Sequence, residues 1–538
     1  MLRPMSKPRQ VNISCHCASA AQTVALGPSS GSGITTSDLC HCETCRRTSG
    51  LLCASYAVIG RPEVEGKGMV AYRTGPAWDW NNRAKDGGRG GGKGKENIAD
   101  DDACQRTGSC ERFFCGRCGA HIFRRDGYAN SEHEIWGVAT GVIIGDANEA
   151  DRAETDGNTV LKITRHVNTA RTKDGGLSRF IVSIAGDRLD VVASSDWSST
   201  GEGVLGGRET PGSPWLGPKV LSQPPTPIPP LPPPDDIPEI PIASVHRKAL
   251  LASAARESAP EAILDHALGD EKHTSKAWEG GARGCVACET GPSTGDAETA
   301  AMLKGRCHCG DIRFHITHPD AASVLPKSNF PDLMVPYHDP ANAELLTNPN
   351  GEKWWLCPEP RDGGTDETRG KEREDEGRSM ARYRAGFCAC PSCRLTSGFE
   401  IQPWSFVPRS NIRMHVHDPD HHRPSVALTE GFEPLRGVLR SYASSPGVVR
   451  EFCGRCGATV FWHDEERGDL FDVSVGLLSG VRKEQGSRDE IMCEEHLEWW
   501  RDRVSFVEEA DVGRTGSVGV MARDFMKSLE AGLKGEKL

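Results

Sequence analysis

Cys453-Gly454-Arg455-Cys456-Gly457-Ala458 occurs a second time, residue for residue, as Cys115-Gly116-Arg117-Cys118-Gly119-Ala120. Each copy follows a phenylalanine (Phe114, Phe452) and leads, after one residue, to an apolar pair, Ile122-Phe123 or Val460-Phe461. Two cysteines on a tight glycine-containing turn present both thiolates to one metal ion, and the small residues let the backbone fold beneath it. A single CxxC carries little information. Two identical copies in matching surroundings are an internal repeat of a metal site.

Working outward, each knuckle has the same upstream partners. Cys15-His16-Cys17 corresponds to Cys307-His308-Cys309, and Cys40-His41-Cys42-Glu43-Thr44-Cys45 to Cys388-Ala389-Cys390-Pro391-Ser392-Cys393. Both triads run on into a Thr-Ser-Gly, at Thr48-Ser49-Gly50 and Thr396-Ser397-Gly398. Each repeat therefore reads CxC, CxCxxC, CGRC, using fourteen of the 21 cysteines.

Ligand counting divides these cysteines into two kinds of site. CxC and CGRC are each bidentate, and together they make a four-thiolate tetrahedron that is coordinatively closed and suits a structural staple. One staple is Cys15, Cys17, Cys115 and Cys118; the other is Cys307, Cys309, Cys453 and Cys456. CxCxxC offers only three thiolates: Cys40, Cys42 and Cys45, or Cys388, Cys390 and Cys393. Three ligands and an open position are the arrangement of a catalytic zinc, and thiolate ligands suit a soft incoming sulfur better than a hydrolytic water. Arg46, Arg47 and Arg394 directly follow the triads and are candidates to meet the carboxylates of a thiol compound. The alternative stays open at this point: a histidine or one of Cys53, Cys104, Cys110 and Cys357 could close the triad and make it structural. His16, His41 and His308, lying between thiolates, are expected to point outward.

Composition bounds the rest. The chain has 538 residues, 37% hydrophobic and 6% aromatic, with 60 glycines and 35 prolines, which implies compact domains separated by disordered stretches. A net charge of −11 argues against a nonspecific grip on nucleic acid or anionic membrane. No charged-then-apolar leader opens the sequence and no apolar run approaches the ~20 residues of a membrane span. A reducing cytoplasm or nucleus is the expected setting, where clustered cysteines bind metal more often than they form disulfides.

Taken in order, residues 1–195 form a first domain interrupted by a Gly-rich loop at 83–108. Within that loop Gly87–Gly94 imitates a phosphate loop but lacks the terminal Ser or Thr and the flanking strand. Residues 196–243 are a Pro/Ser/Gly-rich linker, stiff around Pro224–Pro234 and a possible docking segment for protein partners. Residues 244–298 are a short helical connector with an extra pair, Cys285 and Cys288. A second domain spans 299–515 and carries a charged insertion at 317–384, expected to be disordered. His496-Leu497-Glu498-Trp499-Trp500 is expected in the place that His166 holds in the first domain. In the tail, 516–538, Met521, Phe525, Leu529 and Leu533 mark one face of a helix.

The order CHC, CxCxxC-R-x-T-S-G, FCGRCGA and a following V-G-L segment resembles the CENP-V/GFA domain family, the glutathione-dependent formaldehyde-activating enzymes, in a tandem two-domain form. The resemblance covers about 11–184 and 299–507. It implies a mainly β fold: two zinc-stapled β-tent domains joined by the Pro-rich linker, with disordered insertions and short helices. It also implies two zinc ions per domain, four per chain, one closed and one on the CxCxxC cysteines. The activity implied is that of a carbon–sulfur lyase acting on a glutathione, or other thiol, adduct of formaldehyde or a related carbonyl compound. In that picture Arg and the Thr-Ser-Gly backbone hold the peptide. The competing expectation is a non-catalytic, zinc-stabilised binding module. One departure is local: Ala18 stands where the second repeat has Gly310.

Overall fold

The computed structural model describes residues 9–27, 34–74, 110–127, 134–147, 161–193, 301–357, 381–415, 425–428, 437–480 and 490–536. The Gly-rich loop, the linker, the connector with Cys285 and Cys288, and Cys104 lie outside the described residues. The molecule is mainly β, and the two repeats share one plan. In the first, an eight-stranded sheet runs in the order 190–192, 161–167, 35–40, 54–59, 134–139, 121–127, 110–115, 69–74. In the second, the series 382–388, 402–408, 470–474, 459–464, 448–453, 439–445 repeats that order, with Leu497–Trp499 lying parallel to Arg382–Cys388 as Leu161–Val167 lies parallel to Thr35–Cys40. A smaller sheet beside each pairs the strand before CxC (Gln10–Ile13, Ala301–Arg306) with the strand leaving the late turn (Ile143–Asp146, Leu478–Gly480). Branched and aromatic residues build these strands, and the knuckle strand Cys110–Cys115 is buried along its whole length.

The repeats are not beads on a linker. One apolar core runs through both, from Val11 and Phe123 to Phe461 and Phe525. At the contact the Thr-Ser-Gly turn of each repeat seats against the late glycine turn of the other: Gly476 N–H donates to Gly50 O (3.1 Å) and Gly141 N–H to Gly398 O (3.0 Å). A Cβ on Gly476 would fall 2.1 Å from Leu51 O, and one on Gly141 2.3 Å from Phe399 N. The two knuckles meet similarly, with the Phe452 ring against Gly119 and the Phe114 ring against Gly457. A fully buried ion pair, Arg514–Glu400 at 2.5 Å, reaches across the same contact through Arg514 Nη2 to Thr140 O (3.1 Å).

One expectation changes. The insertion at 317–384 is folded over residues 317–357, where Phe330, Leu333, Tyr337, Trp354 and Trp355 pack with Phe406 and Leu470. Charge density at 361–378 dominated the sequence pattern, but the preceding stretch carries enough large apolar side chains to offset the entropy of ordering it. The segment 496–500 takes the place of the stretch around His166, since Leu497–Trp499 lies parallel to its neighbour as Leu161–Val167 does. His496 itself precedes the strand, whereas His166 lies within it, paired with Leu39. The terminal helix Gly516–Lys534 buries Met521, Phe525, Leu529 and Leu533 as the pattern required, with Phe525 edge-on to Phe399 of the second repeat, and it also reaches the first repeat. Gly532 abuts the Phe180 backbone and Ser528 Oγ donates to Ser183 O.

Candidate metal centres

All fourteen motif cysteines gather as the ligand counting required. Cys15, Cys17, Cys115 and Cys118 form one group, and Cys307, Cys309, Cys453 and Cys456 a second, with the sulfurs of each group within 4.8 Å of one another. Each CxC sits on the turn after the first strand of its small sheet, and each CGRC on the turn after the knuckle strand. Zn–S bonds of ~2.3 Å at tetrahedral angles place sulfurs about 3.8 Å apart. The separations Cys307–Cys309 (3.3 Å), Cys309–Cys453 (3.5 Å), Cys307–Cys453 (3.8 Å), Cys15–Cys17 (3.6 Å) and Cys17–Cys115 (3.5 Å) fit that geometry after small adjustment.

The triads form two further groups, Cys40-Cys42-Cys45 and Cys388-Cys390-Cys393, all six cysteines buried. Among the described residues no fourth Cys, His, Asp or Glu joins either group within 4.8 Å. Cys53 lies in the core behind the first triad and Cys357 in the folded insertion. Cys110 is held apart from Cys45 by Arg112, whose guanidinium donates to both sulfurs, at 3.5 and 3.2 Å.

Local structure explains the triad geometry. The middle cysteine caps a short helix (Glu43–Ser49, Pro391–Ser397), so that Cys42 Sγ accepts from Cys45 N–H (3.4 Å) and Cys390 Sγ from Cys393 N–H (3.3 Å). Such donors favour thiolates. Gly50 and Gly398 end the helices in the left-handed conformation, at φ 82° and 79°. Two residues the motif reading overlooked, Arg112 and Arg450, each three positions before a knuckle cysteine, complete the charge balance. Arg112 Nη2 donates to Cys45 and Arg450 Nη2 to Cys393 (3.4 Å). Asn168 Nδ2 donates to Cys40 Sγ (3.2 Å). Aligning the repeats on the knuckles would have found both arginines; nothing local marks Asn168.

In the second triad, hydrogen bonds from Cys388 and Cys390, then Arg450, hold Cys393 well below the usual thiol range, while the reciprocal bonds and burial push Cys388 well above it. A set of one thiolate and protonated neighbours gives up its remaining protons when a divalent cation binds, so the donor set fits zinc.

The arginines after the triads have other work. Arg47 and Arg394 are buried at the inter-repeat contact; Arg47 donates to Leu477 O, and Arg394 to Gly141 O (2.7 Å) and Val512 O (3.0 Å). Arg46 is buried as well; burial, then His166 and Arg46, hold His41 well below the usual imidazole range. Burial, followed by Arg514, lowers Arg394 to about 9. These three are not available to a substrate carboxylate, and the Thr-Ser-Gly turns are taken up by the opposite repeat. Helix position decides this for Arg47 and Arg394, which reach the late turn of the other repeat.

The histidines also depart from expectation. His41 is fully buried and pairs with His166 (2.9 Å). His16 and His308 cross to the other repeat's triad helix. His16 Nε2 meets Ser392 Oγ (3.1 Å) and its Nδ1 meets Tyr442 (2.7 Å), while His308 meets Thr44 (3.3 Å) and Tyr72 (2.7 Å). Burial, reinforced by Arg450, lowers His16 to about 4, so it is neutral near pH 7.

A cavity of about 130 Å³ opens on the second triad. Cys388, Cys390, Cys393 and His16 lie along it, together with Trp404, Phe406, Trp462 and Phe506; the folded insertion contributes Asp332, Leu333 and Tyr337 to its wall. Sequence patterning offered no sign that residues so far apart would share one cavity. Comparison of the chain with family models, with characterised proteins and with solved structures found no match.

Proposed function

We propose that the chain is a zinc-dependent enzyme of the carbon–sulfur lyase type, acting on the adduct of a thiol with formaldehyde or a related small carbonyl compound. Glutathione is the thiol to which the CENP-V/GFA resemblance points. The observation that carries the reading is a buried three-sulfur site, with no fourth protein ligand among the described residues, facing a cavity. The two four-sulfur groups serve as staples, for a total of four zinc ions.

Zinc bound at the triad would supply a soft Lewis acid able to keep an incoming sulfur ionised. The chain's residues do the rest. Arg450 offsets the excess negative charge of the sulfurs, and the aromatic walls exclude water around the reacting carbon. In the condensing direction the substrate's sulfur forms a bond to the carbonyl carbon as the C=O π bond breaks. The thiol proton ends on the new hydroxyl oxygen, and no redox partner is required. The reverse reaction returns thiol and carbonyl.

Metal analysis tests this. Full-length wild type is expected to hold four zinc ions. Cys45→Ser combined with Cys393→Ser is expected to lose two and still unfold cooperatively near the wild-type temperature. Unfolding like a staple variant would assign the triads to structure and sink the proposal. Calorimetric silence of the zinc-loaded wild type toward millimolar thiols would favour a zinc-stabilised binding module instead.

A further inference from the structure

The second cavity has a charge character that the repeat motif does not explain. Four carboxyl groups line it, Asp332, Asp464, Asp472 and Glu509, against two guanidinium groups, Arg450 and Arg467. Arg450 is engaged with Cys393. Arg467 serves two carboxylates at once, Asp472 at 3.1 Å and Asp464 at 3.6 Å, while its plane lies 4.5 Å from the Trp462 ring. Asp332 is bound to Arg503 (3.2 Å). Glu509 Oε2 is buried and has no hydrogen-bond partner among the described residues. Three thiolates on a divalent ion would add a further net negative charge, so acidic groups outnumber basic ones in the lining.

The first repeat keeps the counterpart of Asp464, Asp126, paired with Arg124 (2.9 Å), but not that of Asp472. There Arg124 pairs with Gly137, whereas in the second repeat Trp462 pairs with Asp472. The acid is thus a property of one site and not a requirement of the fold.

Size sets the second limit. A cavity of about 130 Å³ is close to the ~150 Å³ that accommodates a single benzene ring. Its inner space beside the sulfurs takes a few heavy atoms. Trp404 and Phe506 supply faces suited to a cation.

We propose that the second triad binds a small aminothiol, with its sulfur at the three-cysteine site and its ammonium group against Glu509 and Asp472, between the aromatic walls. This rests on the reading of the triad as a thiol site and replaces glutathione there by a cationic thiol a few atoms long. Burial holds Asp472 and Glu509 up to about 7, and an ammonium ion beside them offsets that cost.

The test uses full-length Cys45→Ser protein, which retains only the second triad, loaded with cobalt so that each added thiolate gives a charge-transfer band. Three thiols of similar size are titrated: 2-aminoethanethiol, 2-mercaptoethanol and 3-mercaptopropionate. The expected order is cation, then neutral, then anion, with about tenfold between the first two. Glu509→Gln and Asp472→Asn are each expected to shrink that gap while preserving the band with 2-mercaptoethanol. Equal affinities, a preference for the anion, or a gap unchanged by both substitutions would overturn the proposal and leave the thiol site standing. No band with any thiol at millimolar concentration would remove the thiol site itself, and this proposal with it.

Discussion

His16 of the first repeat lies 3.1 Å from Ser392 in the triad helix of the second, and His308 returns the contact to Thr44 of the first at 3.3 Å. Each histidine sits between two staple cysteines, so the closed metal group of one repeat anchors a side chain beside the open group of the other. His16→Ala removes about one hydrogen bond from the second site, worth ~1 kcal/mol, and is expected to weaken thiol binding there about fivefold. Zinc at Cys15, Cys17, Cys115 and Cys118 should remain, as read by metal analysis. Loss of that zinc would assign the histidine to the staple alone.

The glycine turns decide whether the repeats are separable. Gly476→Ala places a methyl 2.1 Å from Leu51 O, against backbone that has nowhere to move. A loss of about 3 kcal/mol is expected in urea unfolding. Wild type should unfold in one transition that reports both halves, because one core spans them. Two independent transitions in the wild type would contradict the continuous core.

Ala18 carries a φ of 60°, the left-handed region, where the second repeat has Gly310 at 78°. An alanine there costs ~1–2 kcal/mol, partly offset by the lower entropy of the unfolded chain. Ala18→Gly is therefore expected to raise the stability of the protein by about 0.5–1 kcal/mol, and Gly310→Ala to lower it. Thermal unfolding of the zinc-loaded pair checks both signs.

Burial, outweighing Arg467, lifts Asp472 from 3.8 to about 7. The folded carboxyl therefore holds its proton more tightly than the unfolded one. Its contribution is fully present below about pH 4 and is lost as pH rises through 7. Asp472→Asn should match wild type near pH 4 and exceed it by on the order of 4 kcal/mol above about pH 7. Denaturant midpoints across that range measure the gap; a gap that stays flat with pH would contradict the assignment.

The cysteine grouping was legible because ligand spacing is a local property: two residues on a turn and a CxC on a strand end have few ways to meet. Strand content was legible for the same reason, through alternation in segments such as Arg313–Thr317. The neighbours of the triads were not. Arg47, Arg394 and His16 looked free to face solvent or substrate, because nothing near them in sequence says that another half of the chain covers them. The folded part of the insertion was hidden by the charged run after it, since average polarity over a long window conceals Trp354 and Trp355.

The interlocked turns impose an order of events on the chain as it is made. Gly50 and Arg47 take partners on residues 476 and 477, and Phe180 meets the helix ending at Lys534. While translation proceeds from one half to the other, the emerging first half carries an apolar face, framed by two freshly assembled thiol clusters, that nothing yet shields. A nascent chain of this design depends on timely metal loading and on holding that face away from other copies until its own second half arrives.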